Sequence, residues 1–255
     1  MDLELAGKTA LITGGSAGIG AAIAKAFVAE GANVVIVSRD ADRLASAKAE
    51  IAAPDGRVET FVADLSDGAE RERLAAAHAN VDILINNAGA IPGGDLLSVD
   101  MATWQTAWAL KVMGTIHLSQ LYLERMKAAE AGVILNVIGM AGRAPRYDYI
   151  CGSAGNAALI AFTNALGSEA PQWGVRVLGI NPAATRTDRI ITMSKARAVS
   201  RFGDESRWEE LLQGLPFGRM AEPAEIADLA VMLASPRGSY MSGTVVDADG
   251  GQQFR

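Results

Sequence analysis

The sequence holds one cysteine, Cys151, and two histidines, His78 and His117. A lone thiol cannot close an internal disulfide, so nothing asks for an oxidising compartment. The histidines stand far apart with no cysteine nearby, which argues against a metal site. No run of 18 apolar residues is present to cross a bilayer as a helix. The start, Met1-Asp2-Leu3-Glu4, is acidic where a secretory signal carries positive charge. No run of five like charges forms a tail, and 23 basic against 29 acidic residues is the reverse of a nucleic-acid binder's balance. These absences predict a cytoplasmic protein with no membrane or nucleic-acid partner.

What is present is apolar: half of the 255 residues, enough to bury a large core and to exclude disorder. Short apolar runs alternate with amphipathic stretches. The pattern predicts strands over 9–13, 33–38, 57–62, 81–86, 132–138, 175–180 and 243–247. Helices are expected between them over 19–30, 41–53, 67–78, 101–128, 154–172 and 223–233. Strands without polar alternation, separated by helices, imply a parallel sheet covered on both faces. No linker or repeat divides the chain, so the expectation is one doubly wound α/β domain over 1–255. The segment 185–215 breaks the rhythm, carrying Arg186, Arg189, Lys195, Arg197, Arg201 and Arg207 but no strand. Its place after a strand's carboxyl end suggests a substrate-covering lid; a solvated helical pair is the plainer alternative.

Between the first strand and first helix stands Thr13-Gly14-Gly15-Ser16-Ala17-Gly18-Ile19-Gly20. Gly14 permits the tight turn, Gly18 lets a pyrophosphate approach the backbone, and Gly20 allows close helix packing, with the helix amino terminus attracting the phosphate. Other landmarks follow in order: Asp64-Leu65, Asn86-Asn87-Ala88-Gly89, Asn181-Pro182-Ala183 with Thr187, Gly218-Arg219, Glu222-Pro223, Glu225-Ile226-Ala227 and Asp249-Gly250-Gly251. Together they resemble the short-chain dehydrogenase/reductase family over nearly the whole chain.

That resemblance implies a Rossmann-type sheet of about seven strands, a nicotinamide dinucleotide and a small-molecule substrate. By motif match, Gly14, Ser16, Gly18, Ile19 and Gly20 line the pyrophosphate, and Asp64 and Leu65 the adenine. Asn86, Ala88 and Gly89 flank the adenosine-side ribose and backbone, and Pro182 and Thr187 the nicotinamide. Ala183 stands where the family usually has glycine. A homotetramer is the expected assembly, with a homodimer second.

Cofactor choice follows from charge. An acidic residue at the end of the second strand would bind both ribose hydroxyls and repel a 2′-phosphate. Here Ser38 removes the repulsion and Arg39 offers a guanidinium, which pairs with phosphate in a bidentate manner. The pair favours NADP(H) over NAD(H).

Family members usually carry an asparagine, a serine, a tyrosine and, four residues later, a lysine as catalytic groups. Aligning Asn136 to Gly142 with the serine-bearing stretch puts Gly139 at the serine, Gly152 at the tyrosine and Asn156 at the lysine. Lys111 takes the asparagine position. Three readings remain open. Catalysis is lost and an NADP(H)-binding scaffold or sensor remains. Alternatively the site is rebuilt, with Lys111 and Asn156 exchanged and Tyr149, one turn before Gly152, swinging its phenol into the vacated space. Or different chemistry uses the same cofactor, as in the dienoyl-CoA reductases, which lack the tyrosine and reduce conjugated double bonds. The plainer alternative to the rebuilt site makes Lys111 a snorkelling surface lysine and Tyr149 a lining or packing residue. Ser153 and Cys151 are weaker candidates. Arg143, Arg186 and Arg189 are placed to receive a carboxylate or phosphate, although solvated arginines are the commoner case.

Overall fold

Strands rich in Val, Ile, Leu and Ala bury apolar side chains on both faces, and the central strands satisfy both. In the computed structural model, which describes residues 2–51 and 57–254, seven strands form one parallel sheet in the order β3-β2-β1-β4-β5-β6-β7. They are β1 (Thr9–Thr13), β2 (Asn33–Ser38), β3 (Val58–Val62), β4 (Ile83–Asn86), β5 (Gly132–Val137), β6 (Val175–Pro182) and β7 (Thr244–Ala248). Alternation divides the core. Ile12, Ile36, Ile85, Leu135 and Ile180 face one layer, against Ile23 and Phe27 of α1 (Gly18–Ala29) and Ile226 and Ala230 of α8 (Pro223–Ala234). Leu11, Val35, Leu84, Ile134 and Val177 face the other, against Leu74 of α3 (Gly68–Ala77) and Leu118, Tyr122 and Met126 of α5 (Gly114–Ala128). The result is a Rossmann-like doubly wound domain.

Several boundaries differ from expectation. The stretch 101–128 is not one regular helix: α4 (Met101–Trp108) and α5 are joined by a π turn, Ala109–Met113. The buried Arg71 guanidinium sits beside this turn, donating to the carbonyls of Leu65 (2.7 Å) and Ala109 (3.4 Å). Helix α6 (Ile150–Glu169) begins four residues early and gives way to a 3-10 turn at Ala170–Trp173, where Pro171 lacks an N–H. Helix α2 is Ala41–Ile51; residues 52–53 of its expected span lie outside the described residues. The strandless segment 185–215 forms α7 (Asp188–Phe202), capped by the Thr187 side chain and ended by Gly203 at φ 73°, and then a 3-10 segment, Glu205–Leu212.

The sheet order reverses direction between β1 and β4. Crevices open outside the carboxyl ends of strands at such a point, and the connections after β1, β4, β5, β6 and β7 converge there.

Candidate functional site

A cleft of about 1400 Å³ lies at this edge of the sheet. Its floor is the glycine-rich turn. Gly14 and Gly18 hold φ of +66° and +54°, where L side chains are strained. A Cβ on Gly20 would overlap the Gly14 carbonyl, so the helix packs close only because that atom is missing. Thr13 and Asn87 bolt the turn to the connection after β4. The Thr13 hydroxyl accepts from the Asn87 and Ala88 N–H groups (2.9 and 3.0 Å), and the Asn87 amide donates to the Thr13 carbonyl (3.0 Å). Sequence reasoning passed over Asn87; its signal was its place beside Asn86.

Gly14, Gly18, Ile19, Ala88, Gly89, Pro182 and Thr187 line the cleft, as do Lys111, Tyr149 and Asn156. Gly20 is buried behind it, and Asn86 lies beneath it, donating to Ser119 (3.1 Å) and Asn136 (3.0 Å). Ser16 and Ser38 are half-buried, Leu65 is buried, and Arg39 and Asp64 are exposed. Hydrogen bonds from the Ser66 N–H and hydroxyl hold the Asp64 carboxyl below its usual range, with the nearby Arg39 charge adding to this. Arg43, in the first turn of α2, also lines the cleft. Its arginine identity one turn after Arg39 was a signal left unused.

At the other end, the π turn aims Lys111 inward. Its stem crosses Gly89, where a Cβ would stand 2.9 Å from the Lys111 Cδ, and its ammonium donates to the Ile138 carbonyl at 2.7 Å. Burial, and secondarily the Arg189 charge, push its pKa down to about 8. Tyr149 immediately precedes α6, and its ring lies over Gly152 so closely that any Cβ there would overlap it. Burial raises the phenol's pKa, with Arg189 opposing, so the group stays protonated through the neutral range.

Asn156 sits in α6, 3% exposed, donating to the Gly139 carbonyl at 3.3 Å. Gly139 has φ +135°, and its N–H donates to the Asn181 side chain. Ser153 is occupied by both backbone groups of Arg146. Cys151 is buried and its thiol pKa raised, which leaves it inert. From α7, Arg189 reaches across the cleft to the carbonyls of Gly89 and Ile91, at 2.6 Å each.

A dinucleotide suits these residues on structural grounds. Glycines keep the turn open to phosphate oxygens, and the buried Asn156 Oδ1 has no donor of its own, which a ribose hydroxyl would supply. Among the described residues no three His, Cys, Asp or Glu side chains gather as metal ligands. No described helix is long and apolar enough to cross a membrane.

Comparison with known proteins agrees with this fold. A family model described as short chain dehydrogenase matches residues 8–198. The chain is 36% identical over 255 residues to galactitol 2-dehydrogenase (L-tagatose-forming) of Cereibacter sphaeroides, covering 97% of this chain and 96% of that one. It is 34% identical to the D-beta-hydroxybutyrate dehydrogenase of Cupriavidus necator, covering 97% and 98%. Among solved structures, L-sorbose reductase from Gluconobacter frateurii, complexed with NADPH and L-sorbose, superposes with a TM-score of 0.90 at 31% identity, over 98% of each chain.

Proposed function

The chain belongs to the short-chain dehydrogenase family and is an oxidoreductase by that membership, and we propose that it uses NADP(H) in an atypical active site. Its substrate is a small carbonyl, alcohol or conjugated compound, in keeping with relatives named for galactitol, D-beta-hydroxybutyrate and L-sorbose. The observation that carries this is the Tyr149 phenol lying over Gly152, in a cleft that also holds Lys111 and Asn156.

Gly14, Ser16, Gly18 and Ile19 hold the pyrophosphate with Gly20 letting the helix pack behind them, and Asp64, Leu65, Ala88 and Gly89 the adenosine half, supported from beneath by Asn86. Arg39, with Ser38 and the cleft-lining Arg43, receives the 2′-phosphate. Pro182 and Thr187 flank the nicotinamide, and the Asn156 carbonyl accepts from its ribose. A bound nicotinamide supplies or takes up the hydride. Tyr149, kept protonated by burial, gives its proton to the substrate oxygen during reduction, a role worth roughly 10²–10⁴-fold. The Lys111 ammonium stabilises charge developing on that oxygen. Segment 185–215 covers the substrate, α7 supplying Ile190 and Met193 to the wall. The exposed Met232 on α8 and Tyr240 just before β7 suit a homotetramer, or else a homodimer, of a cytoplasmic enzyme.

A second reading, a silent NADP(H)-binding scaffold, draws on Gly139 and Gly152, which offer no side chain at two of the family's catalytic positions. Calorimetric titration with NADP(H) and NAD(H) side by side comes first. Tighter NADP(H) binding that Arg39→Ala weakens is the expected result; equal affinities untouched by Arg39→Ala overturn the cofactor assignment. Lys111→Ala and Tyr149→Phe should then lower turnover while NADP(H) affinity stays within a few-fold. Unchanged turnover in both variants would sink the rebuilt site, and NADP(H) binding without turnover on any carbonyl supports the scaffold.

A further inference from the structure

The arginines in and near the cleft differ in what neutralises them. Outside its lining, Arg143 has Asp247 at 3.5 Å and Arg186 has Glu222 at 3.0 Å. Arg146 and Arg197 share Asp148, at 2.7 and 3.4 Å, which leaves that trio with a net positive charge. Arg189 is different. Both its terminal nitrogens are engaged, but by the carbonyls of Gly89 and Ile91. Lys111 likewise donates only to the Ile138 carbonyl. Among the described residues, neither cation has a carboxylate within ion-pair distance.

Neutral carbonyls orient a guanidinium or ammonium without cancelling its charge. Two such cations facing one cleft repel each other, and the depressed Lys111 pKa records that repulsion alongside burial. The remaining acids on the cleft wall do not relieve it. Asp249 is engaged by the N–H groups of Gly251 and Gln253, and Asp188, in the first turn of α7, pairs with neither cation. The Lys111 ammonium is buried and Arg189 is exposed, and uncompensated positive charge lining a cleft raises the local concentration of anions.

Building on the oxidoreductase assignment, we infer that the substrate carries an oxyanion, a carboxylate or a phosphate, seated on Arg189 within the field of Lys111, whose ammonium faces the reacting oxygen. The dinucleotide's own phosphates are accounted for by the glycine-rich turn and by Arg39 and Arg43. One Arg189 N–H also reaches the Tyr149 phenol, and the remaining guanidinium N–H groups are left for the substrate's anionic group beside that phenol.

Three aldehydes of matched shape test this with NADPH: 4-carboxybenzaldehyde, 4-formylphenyl phosphate and the neutral methyl 4-formylbenzoate. Each reduction to the benzyl alcohol consumes one NADPH and one proton. The expected result is a kcat/KM for at least one anionic aldehyde roughly 10–100-fold above that for the ester, the range for hydrogen bonds to charged groups. The better of the two identifies the preferred anion. The preference should shrink with added salt, shrink in Arg189→Lys and collapse toward unity in Arg189→Gln. Equal rates on all three aldehydes, or a preference that survives Arg189→Gln, overturn the inference while leaving the oxidoreductase assignment intact. Terephthalate binding to the NADPH-loaded protein, followed calorimetrically, separates the two failures. If no aldehyde is reduced yet terephthalate binds and Arg189→Gln abolishes binding, the anion cradle stands and the catalytic assignment falls. Tenfold weaker NADPH binding in Arg189→Gln with no effect on terephthalate gives Arg189 to the cofactor and overturns the inference.

Discussion

At the residue scale, Lys111 shows how position sets chemistry. An ordinary lysine is charged until well above pH 10. Burial favours its neutral form, and the Arg189 charge works in the same direction, so this ammonium loses its proton near pH 8. Below that pH it attracts anions and steadies a developing oxyanion; above it, both effects are lost. We therefore expect kcat/KM for 4-carboxybenzaldehyde to be level below about pH 8 and to fall above it. In Lys111→Met the curve should lose that inflection, and a pH profile of both proteins checks it. An inflection unchanged in Lys111→Met would assign the titration to another group. The Tyr149 phenol, shifted upward, stays protonated throughout this window, so the profile reports the lysine.

At the scale of elements, α6 carries the site's support. Its Gly152 leaves room for the Tyr149 ring and its Asn156 holds the Gly139 carbonyl. Gly152→Ala is expected to expel the ring, lowering turnover roughly 10²-fold or more, the scale of a lost general acid, with little change in NADPH affinity. Measured kcat and calorimetric Kd for the variant decide it. Much of this architecture was legible beforehand, because β-branched runs and glycine-terminated helices follow from local chemistry. The hidden parts were those set by distant partners. The π turn at Ala109–Met113 has no local signature, lying between regular helices beside Arg71, which comes from a different helix. The early start of α6 was masked by its own composition, since Cys151, Gly152 and Ser153 are poor helix formers held there by packing. The carboxylate-free state of Arg189 depends on which acids fold beside it, and no spacing rule reveals that.

At the scale of the whole molecule, one sheet joins both halves of the cleft, so dinucleotide binding stabilises the fold as a unit. NADPH at a hundred times its Kd contributes about 2.7 kcal/mol, which for a domain of this size raises the Tm by roughly 5–10 °C. NADH at the same concentration should raise it less, and thermal unfolding in both cofactors tests the preference. The site itself hangs from connections at one edge of the sheet, so its side chains can be exchanged without disturbing strand pairing. One pair escapes that freedom. The Tyr149 ring and a side chain at position 152 exclude one another in space. A side chain restored at 152 turns the ring out in the same step, so one residue decides which of the two groups occupies this pocket.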